Sequence, residues 1–82
     1  MAAQLRRDLA VLDLHGAYPG QVNDRLEPFL YTQYRASTTA VKIIYGGGTG
    51  ALRERVLTVL RQHPLVATIA EEGGACTVIL AL

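Results

Sequence analysis

Two short segments of the sequence carry residue types that could act on a phosphate group. In the first, Asp13-Leu14-His15-Gly16, a carboxylate and an imidazole stand two positions apart. Imidazole exchanges a proton near neutral pH, so His15 is a candidate general acid or base, and Asp13 is a candidate to orient it or to polarise a nucleophile. The same two residues could instead cap the end of a strand and satisfy backbone groups, and the spacing alone leaves both interpretations open.

The second segment is the glycine-rich run Gly46-Gly47-Gly48-Thr49-Gly50. Glycine admits positive φ and lets a ligand approach the backbone, and a helix that starts after the run offers unpaired N–H groups and the positive end of its dipole. The run therefore predicts phosphate binding, although a tight strand-to-helix connection would also use glycine. It is not a P-loop, because no Lys-Ser/Thr pair follows the glycines.

Side chains near this loop are further candidate phosphate contacts. Arg53, in the first turn of the following helix, and Lys42, in the preceding strand, would add positive charge, and Arg6 and Arg7 would join them if they gather at the same rim. Tyr45 would stack on a base or hydrogen-bond a phosphate, and a tyrosine packed at the end of the strand is an equal alternative.

Four other polar residues are predicted to be structural. His63 suits the negative end of a helix, Cys76 suits a small core position in a strand, and Glu71 and Glu72 are typical of a solvated turn. The single cysteine cannot form an internal disulfide and has no metal-ligand spacing around it, which favours a reducing cytoplasm and gives no metal site.

The hydrophobic periodicity predicts the element order β-α-β-α-β-β. Apolar stripes indicate helices over residues 20–35 and from Leu52 to Leu60, with Thr49 as N-cap of the second and a bend or break at Pro28 in the first. The predicted strands are residues 9–14, 40–46, 65–70 and 75–82, with residues 71–74 as a hairpin connection.

This order predicts an α/β two-layer sandwich, a four-stranded mixed sheet with both helices on one face. Strand–helix–strand units favour parallel neighbours with right-handed crossovers, and the last two strands pair antiparallel. Ligands of such sheets collect at the carboxyl ends of the parallel strands. If the first two strands are adjacent, residues 13–16 and 45–50 line one rim.

Length and charge limit the classes of function. The 82 residues form one domain, with residues 1–8 as an N-terminal extension, and the net charge is only +1. Nucleic-acid binding would therefore have to come from a local arrangement of charge. No apolar run approaches the roughly 18 residues that span a bilayer and no signal peptide opens the sequence, so we expect no membrane partner.

With these motifs in place, the chain resembles an Smr (small MutS-related) domain from Leu9 to Leu82. The resemblance rests on LDLHG at 12–16, the apolar stripe over 22–30, VKIIYGGGTGALRERV at 41–56, HPLV at 63–66 and GGACTVIL at 73–80. It implies a fold like the C-terminal domain of translation initiation factor 3. It also implies an endonuclease that nicks DNA or cuts RNA, in some members mRNA on ribosomes.

The resemblance also implies roles for individual residues. The D-x-H motif of the family is tied to cleavage, which carries onto Asp13 and His15, and its G-x-G loop to backbone binding, which carries onto Gly46, Gly48 and Gly50. Cleavage of DNA would be helped by Mg²⁺ or Mn²⁺, whereas RNA offers its own 2′-hydroxyl.

The chain departs from the family in having Tyr45 where histidine is frequent and Gly47 where lysine is common, and its hairpin before the last strand is shortened. Weak cleavage, or nucleic-acid or ribosome binding without cleavage, therefore stays open.

Overall fold

Four strands and two helices lie along residues 9–81, the part of the chain that the computed structural model describes. The N-terminal extension, with Arg6 and Arg7, lies outside these residues. The predicted order β-α-β-α-β-β is confirmed, with one short 3₁₀ turn added before the first helix. The elements are β1 (Ala10–Asp13), the 3₁₀ turn (Pro19–Gln21), α1 (Val22–Arg35), β2 (Ala40–Ile44), α2 (Ala51–Gln62), β3 (Val66–Glu72) and β4 (Ala75–Leu80).

The four strands form one mixed sheet in the order β1-β2-β4-β3. β1 runs parallel to β2, with Asp13 opposite Ile44, and β4 runs antiparallel to both β2 and β3. The expectation of parallel neighbours is therefore confirmed for β1 and β2 and wrong for β2 and β3, because β4 lies between them. The reason is burial: β4 carries Cys76, Val78 and Leu80 into the core, so it takes the central position, whereas β3 is largely exposed.

Both helices cover the same face of the sheet, as predicted. Alternate residues of β2 and β4 point to that face, since successive strand side chains alternate, and they meet apolar residues spaced four apart on α1. The opposite face carries no helix among the described residues, and Val11 and Ile79 are 49% and 42% exposed there. The shared core contains Leu14, Val22, Leu26, Leu30, Val41, Ile43, Tyr45, Val56, Leu57, Leu60, Cys76, Val78 and Leu80.

Helix α1 continues through Pro28, so the predicted break is wrong. Proline at this position lacks the N–H that would bond the carbonyl of Asp24. Both residues lie on the exposed side of the helix, where water can take the place of the missing donor. Leu26 and Leu30, which flank Pro28, are fully buried and hold the helix against the sheet.

The connection between β3 and β4 is shorter than predicted. Glu71 and Glu72 belong to β3, so the turn is reduced to Gly73 and Gly74. Both glycines have positive φ, 36° and 40°, which a two-residue hairpin turn of this kind requires. Along residues 9–81, neither helix is long and apolar enough to cross a membrane.

Candidate functional site

The segment after β1 and the glycine loop after β2 line one cleft at the carboxyl edge of the sheet. The cleft has a volume of about 400 Å³, and its wall includes His15, Gly16, Ala17 and Pro19 on one side and residues 45–53 on the other. A Cβ built on Gly46 would stand 3.3 Å from Cδ2 of His15, so the imidazole lies directly against the loop. The predicted meeting of the two segments is confirmed, because β1 and β2 are adjacent and parallel.

One end of the glycine loop is held by the turn between β3 and β4. The N–H groups of Tyr45 and Gly46 both donate to the carbonyl oxygen of Gly74, at 2.9 and 2.8 Å. The N–H of Gly46 is therefore engaged within the protein. Within residues 9–81, no group accepts a hydrogen bond from the N–H groups of residues 47–50, so these are the loop amides that a ligand can use.

Helix α2 adds further donors to the same wall. Its N-cap is Gly50, with φ of 92°, and not Thr49 as predicted; the Thr49 hydroxyl only approaches the N–H of Ala51, at 3.4 Å. The first intrahelical bond runs from the N–H of Glu54 to the carbonyl of Gly50. The N–H groups of Leu52 and Arg53 precede that bond, at the positive end of the helix dipole. Together with the loop amides they form a wall suited to an anion.

Asp13 and His15 of the Asp-x-His motif differ in their surroundings: Asp13 contacts the backbone, and His15 faces the cleft. Oδ1 of Asp13 accepts a hydrogen bond from the backbone N–H of His15 at 2.9 Å, and Asp13 is not among the residues that line the cleft. This contact corresponds to the structural alternative, in which the acid caps the end of the strand. The His15 side chain is exposed and lines the cleft. Asp13 therefore holds the backbone turn that presents the imidazole.

Arg53 lines the cleft, but its guanidinium is largely occupied. Its Nε and Nη2 donate to the two carboxylate oxygens of Glu71 at 2.6 and 2.8 Å, and its Nη1 donates to Glu54 at 3.0 Å. The hydrogen bonds from Arg53, and then that from Tyr45, lower the pKa of the Glu71 carboxyl, which keeps the pair charged. Arg53 is thus neutralised locally, and its predicted phosphate contact would require it to leave or share Glu71.

Tyr45 adopts the packed alternative. It is only 5% exposed, and its hydroxyl lies 2.8 Å from Oε2 of Glu71 and 3.0 Å from the carbonyl oxygen of Ala75, two acceptors for its proton. Burial, followed by the hydrogen bond with Glu71, raises the pKa of Tyr45 to about 12. Tyr45 contributes to the cleft wall, but its ring is buried and its hydroxyl is engaged, so it offers little surface for a base to stack on.

Lys42 is the predicted site residue that the structure places elsewhere. Its side chain lies on the face of the sheet opposite the helices, where Nζ is 3.8 Å from Oε1 of Glu72. Alternation along β2 explains this position, because Val41 and Ile43 on either side of Lys42 face the core. Lys42 does not line the cleft.

The structural interpretations of His63 and Cys76 are confirmed. His63 is buried just after α2, with Nδ1 accepting the N–H of Leu65 and Nε2 3.1 Å from Oε1 of Glu27. Cys76 is fully buried in β4, and burial raises the pKa of its thiol to about 11, so the thiol is not a nucleophile at neutral pH.

Three residues that shape the site were not identified from the sequence. Gly74 fastens the loop, Glu71 holds Arg53, and Arg25 donates from Nη2 to the carbonyl oxygen of Asp13 at 3.2 Å. Each is distant along the chain from its partner, so no local spacing signals it. Residues 9–81 contain no cluster of three or more His, Cys, Asp or Glu that could bind a divalent cation, and Asp13 alone does not supply a full set of ligands.

Comparison with known proteins identifies the family of this chain. The sequence model of the Smr domain family matches residues 12–82, so the chain belongs to that family. The endonuclease MutS2 of Halalkalibacterium halodurans is 41% identical over 64 residues, which cover 78% of this chain and 8% of that protein. The endonuclease MutS2 of Geobacillus kaustophilus is 40% identical over 75 residues, 87% of this chain and 10% of that protein. The chain therefore spans about a tenth of the length of these relatives.

Two solved structures share the fold. The Smr domain of Thermus thermophilus MutS2 superposes with a TM-score of 0.85 at 22% identity, covering 90% of this chain and 100% of that one. YdaL, a stand-alone small MutS-related protein from Escherichia coli, gives 0.79 at 23% identity, covering 87% of this chain and 63% of that one. The fold therefore occurs both within a larger protein and as a stand-alone one.

Proposed function

We propose that this Smr domain is a nucleic-acid endonuclease whose cleft binds one phosphodiester and whose His15 transfers the proton during cleavage. The observation that carries the proposal is the contact of the His15 imidazole with Gly46, at the edge of a wall of amides that have no acceptor within residues 9–81. Membership of a family whose relatives are named endonucleases supports the same activity.

The amide wall would bind the non-bridging oxygens of the phosphate. The N–H groups of residues 47–50 and of Leu52 and Arg53 supply donors, and the α2 dipole adds partial positive charge. Negative charge grows on these oxygens in the transition state, so fixed donors that face them would stabilise it more than the ground state. The His15 imidazole lines the cleft and lies in contact with the loop.

The substrate sugar decides which proton His15 takes. On RNA, His15 would remove the proton of the 2′-hydroxyl and the 2′-oxygen would attack phosphorus. The 5′-oxygen would leave and gain a proton from solvent, giving a cyclic phosphate and a 5′-hydroxyl. On DNA, water would be the nucleophile and would lose its proton to His15, while the leaving oxygen gains one from solvent; a divalent cation would assist this route. Asp13 positions His15 through the backbone in both cases.

The second candidate function is binding of nucleic acid without cleavage. It is favoured by one specific observation: the carboxylate of Asp13 caps the His15 backbone, so the imidazole has no described acid to orient it. Such a module would bind phosphate through the amides of the cleft wall, and a partner protein would carry out the cleavage.

The deciding experiment exposes the purified chain to supercoiled plasmid and to end-labelled RNA with Mg²⁺, Mn²⁺ or EDTA. We expect cleavage by the wild type and its loss in His15→Ala, with binding retained in mobility-shift assays at low salt. Cleavage that persists undiminished in His15→Ala would reject the catalytic assignment. A salt-dependent shift with intact substrate would establish the binding module instead. A cyclic phosphate end on the product would identify RNA cleavage through the 2′-hydroxyl.

A further inference from the structure

Arg25 is a cation at the carboxyl edge of the sheet without a carboxylate partner among residues 9–81. It lies in the first turn of α1, is exposed, and donates one hydrogen bond from Nη2 to the Asp13 carbonyl oxygen at 3.2 Å. Arg53 and Lys42 are paired with Glu71 and Glu72, respectively. Among the described residues, the positive charge that remains unpaired beside the Asp-x-His motif is therefore that of Arg25.

The direction of one peptide unit shows on which side of His15 this guanidinium lies. The N–H of Leu14 donates across to the carbonyl of Ile44 on β2, at 2.7 Å. In a planar trans peptide the carbonyl points opposite to the N–H, so the carbonyl of Asp13 points away from β2. Arg25 meets that carbonyl on the outer side of β1, whereas the glycine loop lies on the β2 side.

We propose that Arg25 binds the phosphate adjacent to the one held by the glycine loop, so that the site takes two successive phosphates of an oligonucleotide with His15 between them. This inference rests on the proposed function. A guanidinium has five N–H donors, and the bond to Asp13 uses one of them, which leaves others for phosphate oxygens. The anchor on the Asp13 carbonyl also ties the guanidinium to the turn that carries His15.

The inference predicts selectivity for a polymer over a single phosphate. Inorganic phosphate or a mononucleotide can occupy the amide wall alone and gains nothing from Arg25. An oligonucleotide that crosses His15 reaches both anion contacts, and each neutralised phosphate steepens the salt dependence of binding.

The test measures oligonucleotide affinity across a series of salt concentrations for the wild type, Arg25→Gln, Arg25→Lys and Arg35→Gln. Arg35, the last residue of α1, is also exposed and provides the matched control for loss of one charge from the same helix. For Arg25→Gln we expect the slope of log affinity against log salt to become shallower by about 0.7 on a single strand or about 0.9 on duplex DNA. Arg25→Lys keeps the wild-type slope, Arg35→Gln changes nothing, and mononucleotide binding is the same in all four.

The outcomes separate this inference from the proposed function. An unchanged slope in Arg25→Gln, with wild-type binding intact, overturns the role of Arg25 and leaves the nuclease proposal standing. Equal changes in Arg25→Gln and Arg35→Gln also overturn it, since they indicate a general field and not a contact. If the wild type binds no oligonucleotide at any salt concentration, both proposals fail. Thermal melting of each variant checks that the fold is retained.

Discussion

Asp13 and His15 contribute to the candidate site through different atoms. The carboxylate of Asp13 accepts the N–H of His15, and the imidazole of His15 touches the glycine loop. An acid that acts through a backbone turn needs an acceptor oxygen and not a charge. An acid that orients the imidazole or polarises a nucleophile needs its ionised carboxylate. Conservative substitution distinguishes these roles.

Asp13→Asn keeps an Oδ1 acceptor for the His15 N–H, whereas Asp13→Ala removes it. We expect Asp13→Asn to retain most of the cleavage activity and stability. Asp13→Ala should lose about 1 kcal/mol of unfolding free energy, the usual net worth of such a hydrogen bond, together with most activity. Urea unfolding and initial cleavage rates of both variants give the comparison. Equal loss of activity in the two would show that the charge of Asp13 is needed.

The glycine loop is the element on which the candidate site depends, and it is held from two sides. Gly46 has φ of 77°, lies against His15 and donates to Gly74, so the β3–β4 turn and the β1 end both fix it. Residues 47–50 extend beyond this anchor, and their amides have no acceptor in the part of the chain that the structure describes. The position of the amides relative to His15 is thus set by Gly46.

Gly46→Ala should disrupt this element, and Gly47→Ala should not. A Cβ at Gly46 meets His15 at 3.3 Å on a backbone with positive φ, whereas nothing lies within 4 Å of one at Gly47. The left-handed backbone alone costs about 1–2 kcal/mol for a residue with a Cβ. We expect a lower melting temperature and slower cleavage for Gly46→Ala, with the melting temperature of Gly47→Ala close to that of the wild type in calorimetry. Equal behaviour of the two variants would contradict this account.

Across residues 9–81 as a whole, helices cover one face of the sheet and leave the other face open. A chain of 82 residues buries a small core, about 60% of its unfolded surface for a domain near this size, so its stability depends on few side chains. The central strands β2 and β4 carry isoleucines that face opposite ways: Ile43 is fully buried under the helices, and Ile79 is 42% exposed.

These two isoleucines provide a matched test of the layer arrangement. Ile43→Ala should cost about 2–5 kcal/mol of unfolding free energy through lost burial and the cavity left behind. Ile79→Ala, on the open face, should cost much less, because part of its surface is already in water. The denaturant midpoints of the two variants check the difference, provided that unfolding free energy depends equally steeply on denaturant concentration in both. A large loss at Ile79 would show that the open face is covered in solution.

Residue chemistry and hydrophobic periodicity were enough to predict the secondary-structure order and the edge of the sheet at which the candidate site lies. Runs of β-branched residues and helical spacing of apolar residues predicted the element order. Because β1 and β2 were expected to be parallel neighbours, the segments after them, with His15 and Gly46, had to lie at the same edge of the sheet. The sequence did not indicate the sheet order, since β3 and β4 both pattern as strands and only competition for burial places β4 in the centre. It also left the charges unassigned: Arg53 meets Glu71, 18 residues away, and Arg25 meets Asp13, 12 residues away. A long cationic side chain takes whichever partner the fold brings within reach, so only the tertiary structure could decide that Arg53 is neutralised by Glu71 and that Arg25 meets the Asp13 carbonyl.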